Sequence, residues 1–274
     1  MRRWNGRMTA VVLFAAAVIF LAAVTAAGFG FSEEALVTDF SRKNLEPGGA
    51  YLFGTDWLGR DMFVRTLTGL SMSIRIGLLS AGVSSVLAML LGTMAAVMGK
   101  TVDSVITWVI DLIMGIPHIL LLILISYACG KGFKGVVIGV ALTHWTSLAR
   151  LIRGEVLQLK EALYIRMAQK LGMSRWKIVW KHMLPHLFPQ FLVGLILTFP
   201  HAILHEASIT FLGFGLPPEQ PAIGIILSES MQYLAMGRWW LALFPGLLLV
   251  LTVILFDVAG ESLQKLLDPG SAHK

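Results

Sequence analysis

The chain has 274 residues, 56% of them hydrophobic and 14% charged, with a formal net charge of +6 at pH 7. Soluble globular domains carry about 25% charged residues, so this composition excludes an ordinary water-soluble fold and points to the bilayer. It also excludes a nucleic-acid binder, whose basic stripe sits on a polar surface; in a membrane protein the excess of base marks loops facing anionic lipid.

A bilayer core of about 30 Å requires roughly 20 apolar residues in a helix. Thr9–Phe31 carries no charge and follows Arg2, Arg3 and Arg7. Its apolar stretch exceeds the about 7–15 residues of a signal-peptide core, which predicts a retained helix. The next candidates are Ile74–Met98, Val102–Tyr127, Gly135–Leu151, Leu187–His205 and Trp239–Ser262. Six spans result, the fourth and fifth being short and carrying His144 and Pro200. Gly115, Pro117 and Pro200 predict kinks. The lone Cys129 excludes an intramolecular disulfide and a cysteine-based zinc site, and reads as a small hydrophobe.

Six spans place the N-terminus, the turn at 99–102, the segment 150–186 and the C-terminus on one side. That side holds Arg2, Arg3, Arg7 and Lys100, then Arg150, Arg153, Lys160, Arg166, Lys170, Arg175, Lys177 and Lys181, opposed in the long segment by Glu155 and Glu161. The loop 32–73 is instead rich in acids: Glu33, Glu34, Asp39, Glu46, Asp56 and Asp61. The basic side is expected to be cytoplasmic.

Between the fourth and fifth spans, Val156, Leu159, Leu163, Met167 and Leu171 recur at three- and four-residue intervals, which predicts one amphipathic helix. Gly172 is its expected C-cap. A second short helix is expected to begin at Met173-Ser174, to contain Trp176, Ile178 and Val179, and to end at Pro185. Two roles fit such an elbow: lying on anionic lipid, or offering an apolar knob to a partner's groove. Inter-helix connections usually run 2–8 residues, so a mere linker fits poorly.

The elbow carries the first family resemblance. The permeases of ABC importers have a cytoplasmic motif written E-A-A, three residues, Gly, nine residues, Ile, one residue, Leu-Pro. This chain keeps the spacing with Arg166-Met167-Ala168, Gly172, His182 and Leu184-Pro185. It matches in identity at Ala168, Gly172, Leu184 and Pro185, and departs at Arg166, where the family has an acid. Tyr164-Ile165 and Leu171 also resemble the peptide-type members. So do Phe53-Gly54-Thr55-Asp56-Trp57-Leu58-Gly59-Arg60-Asp61 ahead of the second span and Ala149–Leu157 at the exit of the fourth. Glu206–Gly215 after the fifth and Leu267-Asp268-Pro269 near the end agree too. The chain thus resembles the second permease subunit of the peptide/nickel branch over residues 50–270.

That resemblance implies an all-α polytopic membrane protein of about six transmembrane helices with a cytoplasmic coupling helix. It implies an N-terminal helix and extracytoplasmic loop over 1–70 and a permease core over 71–274, with a coupling loop at 151–185. Tyr164, Arg166, Met167, Ala168, Leu171, Gly172 and Pro185 would meet the ATPase. The implied partners are a homologous second permease forming a heterodimer, two ATPase subunits, an extracytoplasmic solute-binding protein and membrane lipid. The implied location is the bacterial inner membrane, with both termini cytoplasmic.

Motifs for other chemistry fail. Gly92…Gly99-Lys100-Thr101 spaces its glycines too widely for a P-loop, and Gly130-Lys131-Gly132-Phe133-Lys134-Gly135 lacks the strand–helix setting of a dinucleotide site. No cofactor is therefore expected on this chain; ATP and Mg would sit on the ATPase subunits. A membrane-embedded enzyme or scaffold is the reading from another class, with the acids and histidines as its cluster.

The cargo signal lies in the histidines. His201 and His205 share one face of the fifth span beside Glu206, His118 follows Pro117, and His144 lies in the fourth span. Ionisable groups inside spans tend to face a cavity, so these five residues form the expected translocation path. His201 and His205 are the candidate transient metal ligands; the alternative for each histidine is a hydrogen bond to a neighbouring helix. Nickel-type permeases resemble the chain at His144-Trp145 and at the spaced His pair. The expected cargo is nickel or a metal chelate, with di- or oligopeptides as the alternative. Asp111 and Asp257 are expected to serve as structural hydrogen-bonding acids.

Overall fold

The computed structural model describes residues 6–31 and 37–267; Arg2, Arg3, Glu33, Glu34, Asp268 and Pro269 lie outside the described residues. Among the described residues the secondary structure is helical, apart from one isolated bridge between Thr55 and Asp61. The helices are α1 (Gly6–Gly30), α2 (Met62–Val97), α3 (Lys100–Gly115), α4 (His118–Ala128) and α5 (Gly132–Glu161). They continue with α6 (Leu163–Lys170), α7 (Arg175–Ile178), α8 (Leu184–Phe211), α9 (Ile223–Leu234) and α10 (Trp240–Leu267). Five rods are long and apolar enough to cross a membrane, and the bent α3–α4 pair makes up to six. The all-α polytopic architecture therefore holds.

Helix α2 is the central post. Its 36 residues make it about 54 Å long at 1.5 Å per residue, well beyond a bilayer core. The face it buries is built of small residues: Gly69, Gly77, Ala81, Ser84, Ser85, Ala88, Gly92, Ala95 and Ala96. Such residues let helix backbones approach closely where no water drives association. A Cβ on Gly92 would come 2.6 Å from the Ala149 carbonyl oxygen of α5. The Ser84 hydroxyl donates to the Ala141 carbonyl at 2.8 Å. On the other flank, Phe199 of α8 fills the space opened by Gly77. Helix α1 docks where Gly28 meets Ser71, whose hydroxyl donates to the Thr25 carbonyl at 3.0 Å.

The structure moves the expected boundaries. The second span begins at Met62 rather than Ile74, because Asp61 caps it through the Phe63 amide (2.8 Å) and Arg65 is neutralised inside the fold. The fourth runs on to Glu161, well past Leu151. The third is not one rod. Pro117 has no N–H and forces Ile116 into an extended conformation (ψ 139°), so α3 and α4 meet at 103°. Pro200 and Pro245, by contrast, lie inside helices that continue through them.

The single amphipathic helix expected across Val156–Leu171 is also two. Ala162 is extended (ψ 137°) and separates the end of α5 from α6. The break rotates the register. Val156 and Leu159 stay buried, Ile165 takes over the inner face, and Leu163, Met167 and Leu171 turn outward. Gly172 then behaves as expected. Its φ of +82° allows the Met173 amide to reach the Ala168 carbonyl and the Gly172 amide to reach Gln169, each at 3.0 Å, the Schellman closure of a helix. Ser174 caps α7. Pro185 does not end that helix. A π-turn over Val179–Met183 joins α7 to α8 as one rod, Arg175–Phe211. Pro185 sits at the start of α8, where this change of register removes the demand for an N–H it lacks.

Candidate functional site

Two places answer to the expected site residues, and a third was not foreseen. The first is the elbow formed by α6, Gly172 and α7. Ile165, Ile178, Val179 and Met183 anchor it into a core shared with Ala95, Ile152, Val156 and Leu159. Lys160 donates to the Ala96 carbonyl at 2.9 Å, and Arg153 holds Asp103 at 2.7 Å, fixing the ends of α2, α3 and α5 beneath it. Outward from this base stand Leu163 (77% exposed), Leu171 (84%), Trp180 (70%), Tyr164, Met167 and Trp176. Six large apolar side chains on one elbow form an exposed patch of the kind that marks an interaction surface. Arg166, the departure from the acidic family position, pairs with Glu161 of the same chain. Ala168 packs against the core, while Gly172 and Pro185 are exposed.

The second place is a cavity of about 820 Å³ between α4, α5 and α8. His118, His144, His201 and His205 all line it. The α3–α4 bend starts α4 at His118, facing α5 and α8. The rings of His118, His144 and His205 then lie 4.7, 4.4 and 5.1 Å apart, centroid to centroid. One nitrogen from each comes within 4.8 Å of the others. His144 is oriented by its Nδ1, which lies 2.9 Å from the Val140 carbonyl. A carbonyl only accepts, so the proton sits on Nδ1 and Nε2 carries the free lone pair. Nε2 of His144 and Nε2 of His118 are both buried without a hydrogen-bond partner among the described residues.

Two expectations change here. His201 lines the cavity but stands outside the close group, so the pair proposed from its i, i+4 spacing is replaced by a trio drawn from three helices. Glu206 does not face the cavity. It is fully buried on the other side of α8, where its Oε1 accepts from the Thr210 hydroxyl at 3.0 Å. Asp111 makes an ion pair with Arg150 at 2.6 Å, both side chains half or more exposed, and Asp257 is exposed on α10.

The third place is an ionic knot where α2 begins. Asp56, fully buried, accepts from Arg60 Nε at 2.7 Å and Arg65 Nη1 at 3.1 Å; Arg65 also reaches Glu229 of α9 at 2.5 Å. Trp57 stacks on Tyr233 at 4.7 Å. Buried charges persist only when paired and hydrogen-bonded, and two arginines against two carboxylates satisfy that. Asp56 and Arg60 stood in the recognised loop motif. Arg65 and Glu229, 164 positions apart, carried no shared sequence signal.

Residues 88–273 match the family described as "Binding-protein-dependent transport system inner membrane component". The dipeptide transport system permease protein DppC of Bacillus subtilis is 31% identical over 92% of this chain and 79% of its own length. The oligopeptide transport system permease protein OppC of the same organism is 34% identical over 84% of the chain and 77% of its own length. A structure titled as inward-facing conformations of the MetNI methionine ABC transporter superposes with a TM-score of 0.59 at 18% identity. It covers 74% of this chain and 95% of that one, a likeness of fold. The chain therefore belongs to the binding-protein-dependent transport system inner membrane component family, as a multi-pass permease subunit of an ABC importer rather than an enzyme.

Proposed function

We propose that this chain forms half of the translocation pathway of an importer for di- or oligopeptides. The observation that carries the reading is similarity over most of the chain to permeases named for dipeptide and oligopeptide transport. It favours peptide cargo over the nickel expected from the histidines. In this reading the chain pairs with a homologous second permease, receives cargo from an extracytoplasmic binding protein and docks on two ATPase subunits that hold ATP and Mg. The basic residues of the elbow face the cytoplasm, as do both termini, in keeping with the charge bias. The apolar outer face of α6 and α7 enters the ATPase, and Tyr164, Met167 and Leu171 supply the contact area. Movement of the ATPase is transmitted through Ile165 and Ile178 into the α2–α5 core, to which the elbow is packed.

A metal chelate is the second reading, favoured by one observation, the three converging histidines. The test is uptake by cells that lack their own peptide and nickel importers and express this chain with its partner subunits. Labelled di- and tripeptides are expected to accumulate in an ATP-dependent manner. Nickel uptake without peptide uptake would sink the peptide reading and leave the second one.

A further inference from the structure

We propose that Glu206 is a positioning residue for transport: it latches α8 to a cap formed by residues 212–222 and α9, so that a shift of α8 is passed on to that cap. The latch rests on the reading of the elbow as the coupling element and is independent of the cargo.

Glu206 is fully buried on the side of α8 away from the histidine cavity. Its Oε1 accepts from the Thr210 hydroxyl at 3.0 Å, and the Ser73 hydroxyl of α2 lies beside the same carboxyl group. Each hydroxyl is in turn the acceptor for a backbone amide of the cap. The Leu216 amide reaches Thr210 Oγ1 at 3.4 Å, and the Ile223 amide reaches Ser73 Oγ at 3.3 Å. One carboxyl group thus gathers two attachments of the cap, one made through α8 and the other through α2. The elements approach closely here: a Cβ on Gly224 would strike the Ala207 carbonyl oxygen, and one on Gly215 the Thr210 hydroxyl. Further along α9, Glu229 binds Arg65 near the start of α2.

Apolar packing would join these elements at lower cost. A carboxyl group in a dry site is disfavoured unless its oxygens are satisfied, yet Oε2 is buried without a hydrogen-bond partner among the described residues. An unmade bond of that kind costs free energy in the state that lacks it. Oε2 is therefore a spare acceptor, able to take a hydroxyl when α8 shifts against α2. The lever is present too. Helix α7, the π-turn and α8 form one rod from Arg175 to Phe211. Glu206 stands about 46 Å along it from Arg175, at 1.5 Å per residue. The neighbouring His205 lines the cavity, so one turn of α8 holds the cavity wall on one face and the latch on the other. Movement entering at the elbow reaches the cavity and the cap together.

The test uses the complete importer complex in nanodiscs, without cargo. Backbone amide exchange is read by mass spectrometry in the nucleotide-free and the ATP–vanadate-trapped states. In the unmodified complex, trapping is expected to change exchange both at the elbow (163–173) and in the cap (212–226). Glu206→Ala is expected to keep the change at the elbow and to shrink that in the cap by about threefold or more, the worth of one hydrogen bond. Thr210→Val, which removes the hydroxyl at nearly constant volume, is expected to do the same. The double variant is expected to do no more than either single one, because the two residues act as a unit. Glu206→Gln keeps an acceptor oxygen and the volume, and is expected to restore the response of the cap. A merely structural role would lower the melting temperature and blunt both regions alike, and that result would overturn the latch. So would a cap response preserved in Glu206→Ala, or Glu206→Gln as impaired as Glu206→Ala. If Glu206→Ala does not assemble on gel filtration, Thr210→Val decides by the same reading. A cap that stays silent on trapping in an unmodified complex whose elbow responds would also refute the latch. A silent elbow would instead remove the coupling reading on which the latch rests, and peptide uptake is measured separately, so the failures give different patterns.

Discussion

Leu163 and Leu171 turn outward from α6 and its cap, while His118, His144 and His205 turn towards one another from three helices. Both sets break the usual distribution of apolar inside and polar outside, and in opposite senses. The elbow is a local object. Its shape follows from Ala162, Gly172 and Ser174 within a dozen residues, and it borrows only its anchors from the core. The cavity is wholly tertiary, since no two of its three converging rings share a helix. An exposed apolar elbow suits a partner that binds and releases; the cavity sets four histidines among mostly apolar walls inside the helices.

If the two regions are separable, only damage to their shared scaffold should remove both. Gly92→Leu is the strongest such damage. A Cβ there meets the Ala149 carbonyl oxygen at 2.6 Å, and backbone cannot yield as a side chain would. Overpacking costs about 1–3 kcal/mol and occasionally more, and a clash with backbone lies at the upper end, so the assembled complex is expected to fall in yield and melting temperature together. A well-folded Gly92→Leu protein would show that α2 and α5 tolerate separation.

Gly172→Val acts on the elbow alone. A left-handed residue costs roughly 1–2 kcal/mol without glycine, and a β-branched side chain fares worse. ATP-driven uptake is expected to drop about tenfold or more while the permease pair still assembles. Normal uptake would count against the elbow as the coupling element.

Leu171→Ser probes the surface without the backbone. At 84% exposure, its loss is expected to leave stability within about 0.5 kcal/mol. Co-purification of the ATPase subunits is expected to weaken by at least about fivefold, the mark of a contact worth more than 1 kcal/mol. Equal retention of the ATPase would move the docking face elsewhere. Arg166→Glu should matter least. Its pair with Glu161 is exposed on both sides, and such pairs contribute about 0.2–1 kcal/mol. A small loss of uptake restored by adding Glu161→Arg would mean that Arg166 and Glu161 serve each other; a large loss that is not restored would mean that Arg166 meets the partner.

The amino-acid sequence by itself determined that the chain is a bundle of membrane helices, where most of those helices lie, and that an elbow turns at Gly172. These are properties of runs and spacings: apolar length sets a span, and a glycine after an apolar repeat sets a cap. It also exposed the five intramembrane candidates without saying which of them meet. Periodicity ran straight through Ala162, because one extended residue leaves no trace in a three-four repeat, and so two helices with different inner faces were read as one. The i, i+4 spacing of His201 and His205 suggested a pair, but a helix face does not decide what stands opposite it. Only the packing of α2 against α5 and α8, together with the bend that Pro117 forces, brought His118 and His144 to His205 and turned Glu206 away. Arg65 and Glu229 found each other for the same reason. A buried charge needs a partner at about 3 Å in space, and nothing in the order of residues along a chain fixes that distance.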